Sequence, residues 1–474
     1  MRRTIPHPGP RRRPCPRGSA GSPEKATAPR SNCGHRGPPT GVSLLTSRHG
    51  PSFWACWRVF RRARRTSTAS GRKEQGVAEY PVIADDDTLA DAVIALADGE
   101  GPFAVDVERA SGFRYSQRAY LIQIFRRGAG VFLLDPPALS RYDDLQGVLA
   151  TDEWVLHAAS QDLPSLRELG LEPPRIFDTE LASRLLGHER VGLGAIVEET
   201  LGITLAKAHS AADWSTRPLP QGWLEYAALD VLHLIDVRDI LVAELAEQGK
   251  TEIAAEEFQA VLDRPSKPPR TDPWRRLSGL HTLRGRRTLA IARELWEARE
   301  ELAIAQDVSP GRLVPDRSLV AAIAADPESK RALSAIKEFN GRASRTELDR
   351  WWAAFERGRA ATVLPPDRVP SDTLPPPRAW SDRNPAADLR LKAARPIVEE
   401  RASELGMPTE NLLTPELLRR VAWEPPEPTD AEGIGEALRA LGARSWQVHE
   451  TAQMIADAFV ASVQEPPSPA ENDS

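Results

Sequence analysis

At 474 residues the chain is long enough for about three domains. Its 41% hydrophobic and 27% charged residues suit a soluble globular protein, and no run of 18 or more apolar residues is available to span a bilayer, so no membrane association is expected and the cytoplasm is the expected compartment. The net charge of -5 hides an asymmetry, because residues 1–75 hold 17 Lys/Arg against 2 Asp/Glu and leave the remainder at about -20; a uniformly basic nucleic-acid binder is excluded, whereas a local basic face on an acidic body is not.

In chain order, residues 1–75 are rich in Arg, Pro, Gly and Ser without an apolar period, so they are expected to form a disordered basic leader. The stretch PSFWACWRVFRRARR within it suits contact with RNA or a membrane surface; the alternative is a leader without function, or a start codon set too early. All three cysteines, Cys15, Cys33 and Cys56, fall in this leader at spacings that match no metal knuckle. Any metal held beyond residue 75 must therefore take oxygen or imidazole ligands.

From about residue 80 the pattern becomes α/β. DDTLADAVIALADG predicts a helix with an acidic start, and PFAVDVE, AYLIQIF and VFLLDP predict three strands. A helix at YDDLQGVLA and a buried strand at WVLHAA follow, then helices at DLPSLRELG, DTELASRLLG, LGAIVEETLG and WLEYAALDVLHLIDVRDILVAELAEQG. Three consecutive strands followed by alternating elements predict a mixed sheet flanked by helices, over residues 80–262. Beyond DRPSKPPRTDP the strand signals stop. Residues 272–360 predict a helical bundle, 361–389 a Pro-rich linker, 390–463 a second all-α bundle and 464–474 a disordered tail. The two bundles share an order of long helix, short Pro-containing turn and further helices, which suggests a duplication.

Four carboxylates stand out. Asp106 and Glu108 are two apart on the first long strand and so share a face, where burial beside Phe103, Val105 and Val107 is costly unless compensated; a surface position is the alternative. Asp162 follows the strand WVLHAA at a helix start, where N-capping is the local alternative. Tyr226 and Asp230, four apart, share one face of a helix with no cation near in sequence, although the tyrosine alone would suit a core. Four converging carboxylates repel one another unless a cation neutralises them, and hard oxygen ligands without Cys or clustered His select Mg2+ or Mn2+. Two such ions about 4 Å apart can clamp a phosphodiester and activate water, with a phenol nearby to orient it.

The ordered trio FAVDVERASGFRYSQRAYLIQI, VLHAASQDLPSL and DWSTRPLPQGWLEYAALDVLHL resembles the three motifs of the DEDD superfamily of 3′-5′ exonucleases, in its tyrosine subclass. The sister subclass has a histidine five residues before the last Asp, a place held here by Glu225. With downstream bundles that resemble HRDC domains, the arrangement over about 80–463 is similar to the ribonuclease D family. The resemblance implies a ribonuclease H-like α/β domain followed by two all-α HRDC-like domains, the second divergent. It implies Asp106 bridging two divalent ions, Glu108 and Asp230 completing the tighter site, Asp162 serving the second, and Tyr226 as the catalytic tyrosine.

A second group of candidates surrounds this set. His157 would approach the terminal nucleotide or sit satisfied in the core, Arg217 would contact a phosphate or form a salt bridge, and Tyr115 and Gln123 would line the cleft or serve the core. Asp178 suits a helix cap, and His233 has no assigned role. In the first bundle Trp274, Arg275, Arg276, Arg286 and Arg287 form the expected phosphate-binding face, with a solvated charged surface as alternative. The expected activity is a metal-dependent 3′-5′ exoribonuclease acting on tRNA precursors or other structured RNA, without a protein partner. A 3′-5′ exodeoxyribonuclease and a non-catalytic nucleic-acid-binding scaffold are the competing readings; the absence of a GxxxxGK[ST] loop favours RNA over a helicase-linked DNA exonuclease.

Overall fold

The structure, a computed structural model, describes residues 80–205, 209, 211–265, 268–369 and 373–464. The expected leader, its three cysteines and the tail beyond residue 464 lie outside these residues. No helix among the described residues is long and apolar enough to cross a membrane.

Six strands form one mixed sheet: β1 (Val82–Ile83), β2 (Glu100–Arg109), β3 (Ala119–Arg127), β4 (Gly130–Leu134), β5 (Trp154–Leu156) and β6 (Ile176–Asp178). Their order is β1-β4-β3-β2-β5-β6, with β2–β3 and β3–β4 antiparallel and the other neighbours parallel. The helices of this part are α1 (Asp86–Asp98), α2 (Asp143–Leu149), α3 (Leu163–Arg167), α4 (Thr179–Leu186), α5 (Leu193–Leu201), α6 (Gln221–Leu232), α7 (Leu234–Glu247) and α8 (Thr251–Leu262). The acidic start expected for α1 is an N-cap, Asp85 Oδ1 accepting from Thr88 N at 2.8 Å.

Three features differ from the pattern expected of the sequence. β1 and β6 are only two and three residues long, too short to carry an alternation. The long helix expected from Trp223 onward breaks at His233 into α6 and α7. The break lets each half follow its own neighbours: α6 packs on β2, β3 and β4, whereas α7 packs on α4, α5, β2 and β5. Helical structure also resumes inside the stretch expected as linker, at Trp380–Arg383, because Trp380 is fully buried against Trp423 with ring centroids 4.9 Å apart.

The first bundle contains α9 (Arg286–Gln306), α10 (Pro310–Leu313), α11 (Asp316–Ala325) and α12 (Leu348–Ala360) around a core of its own that includes Trp274, Leu295, Phe339 and Trp351. It grips the loop between β2 and β3: Asp307 accepts from Ser116 N at 2.8 Å, Ser309 N donates to Phe113 O at 2.9 Å, and Arg312 Nε donates to Gly112 O at 2.7 Å. The second bundle contains α13 (Pro385–Glu404), α14 (Pro415–Trp423), α15 (Ala431–Ala440) and α16 (Ser445–Gln464). Its apolar core is continuous with that of the sheet domain. A buried Glu257 on α8 meets Arg444 and Trp446, the Arg444 Nε at 2.7 Å and the indole Nε1 at 2.9 Å. In both bundles a long helix is followed by a four-residue helical turn and a helix of nine or ten residues.

Candidate active site

β2 sets two carboxylates on one face, and α6, laid across β2–β4, brings a phenol and a third carboxylate over them. Asp106, Glu108 and Asp230 each offer an oxygen, and these atoms lie within 4.8 Å of one another. Tyr226 precedes Asp230 by one helical turn and interacts with its carboxylate. The surface alternative for Asp106 and Glu108 is not what the fold shows, since Glu108 is buried and Asp106 half-buried.

Asp162 arrives by a different route. After β5 the chain turns at Ala158, which takes a left-handed conformation at φ 62°, and a 3-10 turn over Ala159–Gln161 leads to Asp162 before α3. Asp162 stands at the N-cap but caps nothing with its side chain; it is buried and faces the same cleft. The turn is held by Asp178, whose carboxylate accepts from Ala158 N at 3.0 Å and Ala159 N at 2.9 Å. The same carboxylate caps α4 through Glu180 N and Leu181 N. Asp178 is therefore a cap, as its sequence context suggests, and also a brace for the loop carrying Asp162.

The electrostatics follow from crowding acids away from water. Burial, then the charges of Asp106, Asp230 and Asp162, pushes Glu108 up to about 10. Burial and Asp106 raise Asp230 to about 8, and burial raises Asp106 to about 6. Asp162 is raised by burial and by Asp106, and the Tyr226 phenol by burial and by Asp230. Beside Asp106, its cross-strand neighbour Gln123 is fully buried, with neither side-chain polar atom hydrogen-bonded among the described residues. A donor set of carboxylate oxygens that repel one another, beside an unsatisfied amide, fits divalent cations that take oxygen ligands.

These side chains line a cleft of about 1120 Å³. His157 also lines it, its Nδ1 2.9 Å from Thr179 Oγ1, and burial lowers its pKa to about 4 so that the ring is neutral. Two cleft residues carried no signal in the sequence. Arg109 sits 3.6 Å from Asp162, and His209 packs edge-on against Tyr226 with centroids 5.9 Å apart. A separate apolar pocket of about 330 Å³ between α7, α8 and β6 holds no such cluster.

Other expected residues are not brought to the cleft. Arg217 gives its guanidinium to Asp135, with Nε at 2.8 Å and Nη2 at 2.6 Å, and to the carbonyls of Trp214, Thr216 and Tyr120, so it is a structural staple and the salt-bridge alternative holds. Tyr115 lies on the β2–β3 loop against Glu300 of the first bundle. Gln123 is packed beneath α6 and lines no open surface. In the expected basic face, Trp274 is buried, and Arg275, Arg286 and Arg287 donate to main-chain carbonyls of Pro366, Pro365 and Leu364, and Gly358 and Ala361. Of that set Arg276, Arg286 and Arg287 remain exposed, the last two while making these main-chain bonds. His233 marks the α6–α7 break.

Comparison with known proteins agrees with this geometry. Residues 80–246 match the family model described as 3'-5' exonuclease, 288–354 match the HRDC domain, and 373–459 match the 3' to 5' exonuclease C-terminal domain, where the sequence alone suggested a second HRDC-like bundle. A ribonuclease D of Pseudomonas paraeruginosa is 32% identical over 321 residues, covering 66% of this chain and 82% of the relative. That of Escherichia coli K12 is 29% identical over 300 residues, covering 62% and 78%. A crystal structure of a protein from Bifidobacterium adolescentis superposes with a TM-score of 0.73 at 37% identity, covering 82% of this chain and 98% of that one. The Escherichia coli RNase D structure shares the fold, with a TM-score of 0.59 at 23% identity over 82% of this chain and all of that one. On this site, fold and coverage, the chain belongs to the ribonuclease D family of 3′-5′ exoribonucleases.

Proposed function

We propose that this chain shortens RNA from the 3′ end, releasing 5′-mononucleotides, with tRNA precursors or other structured RNA 3′ ends as substrates. The observation that carries the reading is the convergence of Asp106, Glu108 and Asp230 oxygens within 4.8 Å, with Asp162 and Tyr226 in the same cleft. Asp106, Glu108 and Asp230 would hold one divalent cation, and Asp106 and Asp162 would reach a second. Bound there, two such ions supply the positive charge that activates a water and stabilises the oxygen leaving from the phosphodiester. The chain's own Tyr226 would orient the attacking water by its phenol.

The test is time-resolved digestion, with Mg2+, of a 5′-labelled RNA bearing a tRNA-like acceptor and a 3′ trailer, by wild type and Asp230→Asn. A ladder that shortens from the 3′ end with wild type alone supports the reading. Equal activity of Asp230→Asn sinks the assigned site. Faster digestion of a DNA strand of the same sequence would replace RNA by DNA as the substrate.

A further inference from the structure

Two arginines line the cleft, and they are held differently. Arg184 is fixed on its helix by Glu180, its Nε 3.0 Å from Oε1. Arg109 makes one ion pair, with Asp162 at 3.6 Å, its charge also acts on Asp106 and Glu108, and no hydrogen bond holds its guanidinium among the described residues. That separation exceeds an ordinary charged hydrogen bond, and a quarter of the side chain remains exposed to the cleft. Arg217 shows what a structural arginine looks like in this fold, with five hydrogen bonds.

Arg109 is the last residue of β2, where the pairing with β3 becomes irregular. Strict strand alternation would point it away from Asp106 and Glu108. The pairing of β2 with β3 shifts between Glu108, opposite Leu121, and Arg109, opposite Ala119. The extra residue of that bulge is Tyr120 on β3, and Arg109, the last residue of β2, brings its guanidinium to the acid side through its long side chain. Charge gives it a task there. Four carboxylates and one phosphodiester carry five negative charges, two divalent cations supply four positive ones, and the guanidinium supplies the fifth.

We propose that Arg109 is a phosphate-binding residue that changes partner. Without metal it stands against Asp162; when divalent cations occupy the acids, it turns to a non-bridging oxygen of the terminal phosphodiester of the nucleic-acid strand. Its planar fork suits two oxygens of a phosphate. The proposal rests on the exonuclease reading above.

The test uses the full chain as wild type, Arg109→Ala and Arg109→Lys, with calorimetry of Mn2+ binding alone and then of adenosine 5′-monophosphate and adenosine binding in saturating Mn2+. Arg109→Ala is expected to bind Mn2+ at least as tightly as wild type, because a competing cation is gone. It is expected to bind the monophosphate about tenfold more weakly, with adenosine unchanged and Arg109→Lys recovering part of the loss. Weaker Mn2+ binding that tracks a fall in melting temperature, with the monophosphate-to-adenosine preference unchanged, overturns the proposal and makes Arg109 a brace for Asp162. These readouts need no turnover. A wild type that binds Mn2+ and the monophosphate but shortens no RNA overturns the exonuclease reading and leaves Arg109 standing. Equal monophosphate affinities in an active wild type and Arg109→Ala overturn Arg109 alone.

Discussion

Asp106, Glu108 and Asp230 are each unfavourable to the fold that carries them, since burial opposes their ionised forms and their charges oppose one another. Removing one should therefore cost chemistry and not stability. Asp106→Ala is expected to lower the rate by about three orders of magnitude or more while melting at the wild-type temperature or above it in EDTA. Adding Mg2+ should raise the melting temperature of wild type and leave that of Asp106→Ala where it was, as differential scanning fluorimetry will report. His157 gives a separate pH signature. Its folded pKa of about 4 lies below the ordinary 6.5, so the unfolded chain takes up the proton first and stability falls as pH drops from 6.5 toward 4. His157→Gln should flatten that limb by about 2 kcal/mol in denaturant titrations at pH 5. The acids and Tyr226 were legible in the sequence because their chemistry depends on residue type and short spacing. Arg109 was not, because alternation points it away from the acids and its contact, Asp162, comes from a different element that only the fold brings near. Arg217 was misplaced because the motif shows its charge, while its partner Asp135 lies 82 residues away.

At the scale of elements, the site depends on how short pieces are joined. β6 has three residues and no readable pattern, yet it delivers Asp178, which holds four main-chain amides and thereby the turn before Asp162. Asp178→Ala should lose about 2–3 kcal/mol and weaken Mn2+ binding by freeing that turn, a combination visible in paired unfolding and calorimetry. Arg217→Ala should lose about 3 kcal/mol, because it strands a buried Asp135, with KM for RNA near that of wild type. The break at His233 escaped the periodic pattern for a related reason: both halves are amphipathic, and only their neighbours differ. Strand order and the crossing of α6 over β2–β4 are tertiary facts, whereas the existence of the long strands and helices is written in periods of two and 3.6 residues.

For the whole molecule, the all-α character of the second half followed from its periodicity, but the use of its arginines did not. Charge clustered at 275–287 suggests a phosphate-binding face; in the fold, three of those guanidinium groups tie the start of the Pro-rich stretch to the bundle. Pro content likewise suggests a longer linker than exists, because a buried Trp380 anchors helix formation early. The continuous core and the Glu257–Arg444 contact fasten the second bundle to the sheet domain. Glu257→Ala, which leaves Arg444 without its buried partner, should destabilise the chain by about 3 kcal/mol, read from denaturant midpoints. The tie at 358–366 also bears on any dissection of this protein. A fragment trimmed at residue 355, close to the end of the HRDC match, would set free the cations that the intact chain keeps occupied. It should bind RNA more tightly, and with a steeper salt dependence, than a fragment running to 369. Affinity measured on the shorter piece would then describe the cut end and not the protein.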